Sequence, residues 1–392
     1  ISQLDADYAK NKPLPATLNY GLHGVPKSYF DQEVRRELEN RFGENTVYNR
    51  GLKATTTVDS DLQILAHMTL QKHLLALDAT KGYRGPVAQV DLSREDWPDR
   101  FSSIDNPTVF PNWHLALVTS TSRSQANIRF KSGETGRLKL RDMAWARPYN
   151  FGRPAGPKPY RVDNVVAAGD VILVEAIYKD GSSPFENIGQ PSLRMVGYDP
   201  SQASKLLVSV RSPSIQRFEL RQLPLLSGAA VVLDSQTGQI KAMSGGFSTR
   251  ISDFNRATQA RRQPGSTIKP FIALSALENG YRPKTRIDDG PITLHMPAGE
   301  VWEPKNFDGR DWGPMSLTKA LVYSRNLPMV RLHQSLGSKT ISKTLIDLGL
   351  YKDRQHNPSV VLGANETSLL QLASAYAALA NGGKYIQPTA LR

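Results

Sequence analysis

Three patterns of apolar and polar positions succeed one another along the 392-residue chain. In residues 27–42, Phe30, Val34, Leu38 and Phe42 recur at helical spacing, and Gly43 ends the run. Residues 51–58, GLKATTTV, are threonine-rich and predict a strand. Asp59 and Ser60 are cap residues for a second helix, whose expected buried side carries Leu62, Leu65, Thr69, Leu70 and Leu77. Residues 86–222 change period. WHLALVTS, ANIRFKS, GRLKLRD, GDVILVEAIY, LRMVGY and KLLVSVRS are short runs separated by glycine, proline or aspartate, which predicts a small β-barrel or sandwich. At Ser227 the pattern changes again. GAAVVLDSQTGQIKAMSGG reads as two strands around a DSQTG turn. Helical segments follow at 267–280, 316–325, 339–348 and 367–381, so the last part predicts an α+β domain with helices on a sheet.

Composition adds limits rather than a function. The content of apolar and charged residues is that of a globular protein in two or three domains. No stretch approaches 18 unbroken apolar residues and no signal-peptide pattern is present, so no transmembrane helix is expected within the chain. It opens with Ile1 and stops at Arg392, close behind a helical pattern; both ends read as cut, so any anchor or address would lie outside it. There is no cysteine, which excludes disulfides and thiolate chemistry. The formal charge of +13 fits anionic partners such as nucleic acid, anionic lipid or acidic cell-wall polymer, and fits a well-solvated surface equally.

The candidate chemistry lies in QPGSTIKPFI, residues 263–272. A serine hydroxyl is a weak nucleophile until a base takes its proton, and lysine is a base only when neutral. Spacing of three puts Ser266 and Lys269 on one helical face. Gly265 leaves room for close approach, and a helix start offers free N–H groups to a developing oxyanion. Pro270 is tolerable if it falls in the first turn. Taken alone the pattern is weak, because SLTK repeats it at Ser316 and Lys319. That second copy lacks the glycine lead-in and the following proline, and its serine reads as an ordinary N-cap. A further element, YSRN, places Ser324, Arg325 and Asn326 downstream. Beside Ser266 and Lys269, Ser324 can relay a proton, and Asn326 can hold a substrate amide and orient the lysine. S-x-x-K followed by S-x-N is the order found in β-lactamases and penicillin-binding proteins, with Arg325 here in the middle position.

FNRATQARRQPGSTIKPFIALSALENGYRP resembles the acylation segment of class A penicillin-binding proteins of type 1A, and WEPKNFDGRDWGPMSLTKALVYSRNLPMVRL and ETSLLQLASAYAALANGG are similar to the stretches around and after their S-x-N element. The resemblance spans essentially the whole chain. It implies the end of a glycosyltransferase domain or exit segment at 1–26, an interdomain linker at 27–85, an OB-like β-barrel domain at 86–225, and an incomplete α+β transpeptidase domain of the β-lactamase/transpeptidase type at 226–392. It further implies a D,D-transpeptidase that cross-links peptidoglycan stem peptides ending in D-Ala-D-Ala and is acylated by β-lactams. Ser266 would be the nucleophile, Lys269, Ser324 and Asn326 its catalytic partners, and Gly265, Thr267, Trp302 and Tyr323 substrate-binding residues. No cofactor and no metal is implied. The parent would also be a glycosyltransferase, anchored by a missing N-terminal segment on the periplasmic side of the bacterial inner membrane.

The expected third motif, K-[ST]-G, is not reached before Arg392, and the literal KSG at 131–133 falls in an expected hairpin turn of the β-rich part. The absent strand is expected to supply an oxyanion donor and the cation that lowers the pKa of Lys269, which predicts poor or no catalysis by this stretch alone. Three alternatives stay open: a serine D,D-carboxypeptidase or β-lactamase, a non-catalytic scaffold whose OB-like domain docks protein regulators, and an OB protein binding single-stranded nucleic acid, although no nucleic acid is expected under the main reading.

Overall fold

The computed structural model describes residues 28–107, 110, 112–178, 215–295 and 299–392. These fall into two compact units, one built mainly on residues 71–226 and the other on 33–70, 227–247 and 251–392. Among the described residues no helix is long and apolar enough to cross a membrane. The LRMVGY and KLLVSVRS runs and residues 1–26 lie outside the described residues.

The chain is first described in helices α1 (Tyr29–Phe42), α2 (Glu44–Asn49) and α3 (Ser60–Ala79). The strand expected at 51–58 does not form. Its extended backbone pairs only through a single bridge, Thr56 with Leu391, while Thr57 Oγ1 donates to Ile240 O at 2.6 Å. Asp59 does cap α3, accepting from the Leu62 N–H at 3.0 Å. The buried side of α3 is not the apolar one that the spacing predicts. Gln63, Gln71, Leu74 and Asp78 are buried, whereas Leu65 and Leu77 are 46% and 53% exposed. Polar groups win these positions because they satisfy backbone. Gln63 closes a two-way pair with Met243, donating to its carbonyl at 3.0 Å and accepting from its N–H at 2.8 Å. Asp78 accepts both arms of Arg84 and the Leu225 N–H. A buried donor or acceptor left without a partner would be costly. On α1, Glu37 likewise accepts from the Ala390 N–H at 2.7 Å, while Phe42 is exposed.

The first unit is β-rich. Strands β1 (Ala88–Gln89), β2 (Trp113–Thr121), β3 (Gln125–Phe130), β4 (Thr135–Lys139) and β5 (Asp170–Tyr178) lie in the order β1-β5-β2-β3-β4, and β6 (Ile215–Arg221) also pairs with β5. All of these pairs are antiparallel. The near-continuous apolar runs of β2 and β5 have a physical reason. Ala116, Val118, Ile172 and Val174 face one core with Ile128, Leu138 and Phe218, and Trp113, Leu115, Leu117, Val171 and Leu173 face another with Phe101 of α4 (Trp97–Ser103). Strands covered on both sides need no polar face. The sheet curls until Gly136 of β4 comes against the Phe218 ring of β6, where a Cβ would meet it at 3.1 Å. KSG forms the turn between β3 and β4, and Lys131 Nζ donates to the Ser102 carbonyl at 2.9 Å.

The second unit opens with the predicted hairpin, β7 (Ala230–Leu233) and β8 (Ile240–Ser244). Asp234 Oδ1 accepts the Gln236 and Thr237 N–H groups and sets its turn. Helices α5 (Lys269–Glu278), α6 (Leu317–Val322), α7 (Leu327–Asp347) and α8 (Leu369–Ala380) follow. Phe271, Ile272, Met329, Val330, Leu345, Val361 and Ala375 form their shared core. Periodicity shows only the second part of α7, because Gly337 (φ 76°) breaks the helix and the first part opens on Pro328.

Candidate active site

Ser266 stands in a 3-10 turn, Gly265–Ile268, that leads into α5. Gly265 takes φ 57°, a left-handed conformation suited to glycine. Its N–H donates to the Gly363 carbonyl at 3.2 Å, and a Cβ on Gly363 would lie 2.2 Å from Gly265 O. The turn is therefore pressed against a second glycine, itself left-handed at φ 76°. From the other side the Tyr376 hydroxyl of α8 donates to the Thr267 carbonyl at 2.8 Å. Pro270 falls in the first turn of α5, where its missing N–H leaves no gap. Ile268 and Phe271 are buried, and that orientation puts Ser266 at the surface and takes Lys269 fully inside.

Three hydrogen bonds hold the Lys269 amine, and all three come from the S-x-N element. Nζ donates to Ser324 O at 2.5 Å, to Ser324 Oγ at 3.1 Å and to Asn326 Oδ1 at 2.7 Å. Three acceptors saturate an ammonium. Burial first, and the positive charge of Arg325 second, bring this amine down from the ordinary lysine range to about 8. The resemblance implies a cation for that lowering on a strand beyond Arg392. The structure places a cation for it inside the chain, in the middle position of S-x-N.

The turn carrying these acceptors is tightly determined. Ser324 has φ 53°, the one positive φ at a non-glycine residue among those described. A left-handed serine is strained, and such strain persists only where the surroundings enforce it. Arg325 is buried, donates through Nε to Asp289 Oδ2 at 2.9 Å and through one terminal nitrogen to Asp308 Oδ2 at 3.0 Å, and lies 4.3 Å from the centre of the Trp312 ring. Asp289, fully buried, also accepts from Asn306 Nδ2 at 2.9 Å and from the Trp312 N–H at 3.0 Å. Asn306 Oδ1 in turn accepts the Asn326 N–H at 2.8 Å, and Asn326 Nδ2 donates to Lys305 O at 2.8 Å.

Of the residues singled out in sequence, Lys269, Ser324 and Asn326 come together, with Ser266 one turn before the lysine. Thr267 turns its hydroxyl back to Pro264 O at 2.7 Å. Tyr323 is exposed, and its ring meets Trp312 edge-on at 5.1 Å. Trp302, by contrast, lies on a two-residue strand and packs against the helical core. Ser316 is the N-cap of α6, accepting the Lys319 N–H. Sequence spacing gives no sign of Asp289, Asn306 or Trp312, which reach the turn from a loop, or of Gly363 behind Gly265. The arginine in the middle of S-x-N is the one hint in the sequence, since an arginine buried there needs a carboxylate partner. Among the described residues no cluster of metal-ligating side chains is present.

Comparison with known proteins agrees with this layout. Residues 83–226 match the model of the penicillin-binding protein OB-like domain, and residues 228–392 match that of the penicillin-binding protein transpeptidase domain. The chain is 32% identical over 99% of its length to penicillin-binding protein 1A of Rickettsia conorii, covering 43% of that protein. It is 30% identical over 99% of its length to penicillin-binding protein 1A of Escherichia coli, covering 42% of it. The crystal structure of penicillin-binding protein 1A from Haemophilus influenzae matches all of the chain and 51% of that structure, with a TM-score of 0.73 and 29% identity. The chain thus spans less than half the length of the curated relatives it matches. With a penicillin-binding protein OB-like domain followed by a penicillin-binding protein transpeptidase domain, and relatives named penicillin-binding protein 1A along its length, the chain belongs to the penicillin-binding proteins.

Proposed function

We propose that this chain carries the peptide cross-linking activity of a peptidoglycan synthase, a serine D,D-transpeptidase whose nucleophile is Ser266. The observation that carries the reading is the Lys269 amine, buried, lowered to about 8 and held by Ser324 and Asn326 one helical turn from an exposed serine. A neutral amine has two N–H donors and one lone pair. With its donors on Ser324 O and Asn326 Oδ1, the lone pair is free to accept a proton. Ser266 Oγ attacks the carbonyl of the penultimate D-alanine as its proton passes to Lys269 Nζ. The negative charge on the substrate oxygen faces the Ser266 N–H, at the start of a 3-10 turn where the first amides lack intrahelical acceptors. Ser324 carries the proton from Lys269 to the departing amine, D-alanine leaves, and an acyl ester remains on Ser266. An amine of a neighbouring stem peptide then attacks the ester, gives up its proton through Ser324 and Lys269, and releases Ser266. A β-lactam would acylate the same oxygen and stay, because its leaving amine remains tethered.

In the parent protein we place this activity beside glycan polymerisation, on the periplasmic side of the inner membrane, with an anchor and a glycosyltransferase outside this chain, and with the OB-like domain available to regulators. The test is labelling of the full-length protein with a fluorescent penicillin, followed by peptide mapping. Label on the peptide holding Ser266, lost in Ser266→Ala, is the expected result. Label on another serine, or none in folded protein, would remove the proposal.

A further inference from the structure

We propose that Arg325 is a positioning residue for the transpeptidation assigned above: clamped by Asp289 and Asp308, it fixes the Ser324–Asn326 turn around Lys269 and holds a positive charge beside that amine. The inference rests on the Ser266 reading and adds a role that S-x-N does not specify at its middle position.

Geometry carries the clamp and sets Arg325 next to both residues that hold the amine. Arg325 stands between the two residues that bind the Lys269 amine. Its guanidinium reaches Asp289, Asp308 and the Arg310 carbonyl, and its face lies over Trp312. Every one of these partners belongs to residues 289–312, and Asn306 of the same loop binds the Asn326 N–H. The loop and the turn are therefore joined at Arg325 and at Asn326, directly after the strained Ser324, and the guanidinium makes most of the bonds. An arginine fork suits this task, since it offers several donors in a fixed plane to carboxylate, carbonyl and ring at once.

The charged and titratable groups around Lys269 leave Arg325 as the one that acts on it. Asp289 and Asp308 are paired with Arg325 itself. Lys305 contributes its carbonyl to Asn326, and Lys319 lies 5.5 Å from the centre of the Trp312 ring. On α8 the Tyr376 hydroxyl is engaged by Thr267 O. Burial and Arg325 are the causes of the lowered Lys269 pKa.

The experiment measures the acylation rate of the full-length protein by fluorescent penicillin between pH 6 and 10, in wild type, Arg325→Gln, Arg325→Lys and Asp289→Asn. The neutral amine is the reactive form, so the wild-type rate rises with pH through the lowered pKa of Lys269. Removing the cation in Arg325→Gln moves that rise upward by about one pH unit and lowers the rate at pH 7 about tenfold or more. Arg325→Lys keeps the charge and loses the fork, so the rise stays where it was and the plateau falls. Asp289→Asn keeps the cation and loosens its anchor, so its plateau also falls without an upward move of the rise. An unmoved rise in Arg325→Gln overturns the charge role. A wild-type plateau in both Arg325→Lys and Asp289→Asn overturns the positioning role, and so does one shared profile for all three variants, which marks general disruption. Should Arg325→Gln not fold, an upward move in Arg325→Lys overturns the charge role by itself. Wild-type protein that takes no label defeats the Ser266 reading instead, so the two failures are distinct.

Discussion

The second unit contains Ser-x-x-Lys twice, and the two copies do opposite things with the same residues. At 266–269 the serine is exposed and the lysine is fully buried; at 316–319 the serine caps a helix and the lysine is exposed. Spacing cannot tell them apart, because it fixes only that both side chains lie one turn apart on a helix face. The difference comes from what the lysine meets. Lys269 enters a turn that offers three oxygen acceptors and lies near a guanidinium, whereas Lys319 rests over the open ring of Trp312. One environment lowers the amine toward the range where it can take a proton. The other leaves it solvated. A motif of this kind is best treated as a pair of residues awaiting a third element.

The largest effect should come from removing the two lysines in parallel. Lys269→Met keeps most of the buried volume and deletes the base, so acylation by fluorescent penicillin should fall by roughly 10²–10⁴-fold. Lys319→Met should label within about twofold of wild type, since an exposed lysine away from the reacting atoms contributes little. Rates from single-turnover labelling check this. Comparable losses in the two variants would mean that burial does not separate the copies.

Much of that contrast is legible in the sequence, and the limits of legibility have a physical pattern. The glycine before Ser266, the proline after Lys269 and the SRN triplet all carry local backbone or chemical requirements, and these can be read from neighbouring residues. The β2 and β5 runs and the β7–β8 hairpin follow from period and turn chemistry in the same way. What stays hidden depends on partners distant in sequence. Gln63 and Asp78 take buried positions on α3 because backbone groups far along the chain need them, which no hydrophobic period announces. Asp289 answers Arg325 across 36 residues. Trp312, rather than Trp302, stands beside Tyr323 because the loop bonded to Arg325 brings it there.

A smaller effect probes the backbone behind the catalytic copy. Gly363→Ala would press a Cβ to 2.2 Å from the Gly265 carbonyl, at φ 76°, so the turn bearing Ser266 must shift. The expected cost is about 2–4 kcal/mol, with a fall in labelling rate larger than the stability loss alone explains. Gly337→Ala shares the same φ but meets nothing within 4 Å; its ψ of 155° lies in a region nearly confined to glycine, so a backbone penalty of about 1–3 kcal/mol applies without any clash, and labelling should be kept. Thermal unfolding and labelling of the two variants check this together. Equal labelling in both would show that the Gly363–Gly265 approach does not position Ser266.

The smallest effect reverses the roles of the two serines. Ser316 accepts the Lys319 N–H at 3.1 Å as an N-cap, so Ser316→Ala should lose about 1 kcal/mol and lower the melting temperature of its unit by about 2–4 °C. Its labelling should not change. Ser266 caps nothing: the 3-10 turn begins at Pro264 without a side-chain bond, and the Ser266 side chain is exposed. Ser266→Ala should therefore unfold within about 0.5 kcal/mol of wild type while losing its label. Calorimetry beside penicillin labelling gives a crossed result if each serine has one task. A Ser266→Ala protein destabilised as much as Ser316→Ala would mean that the exposed serine also holds its turn together, and the division between cap and nucleophile would fail.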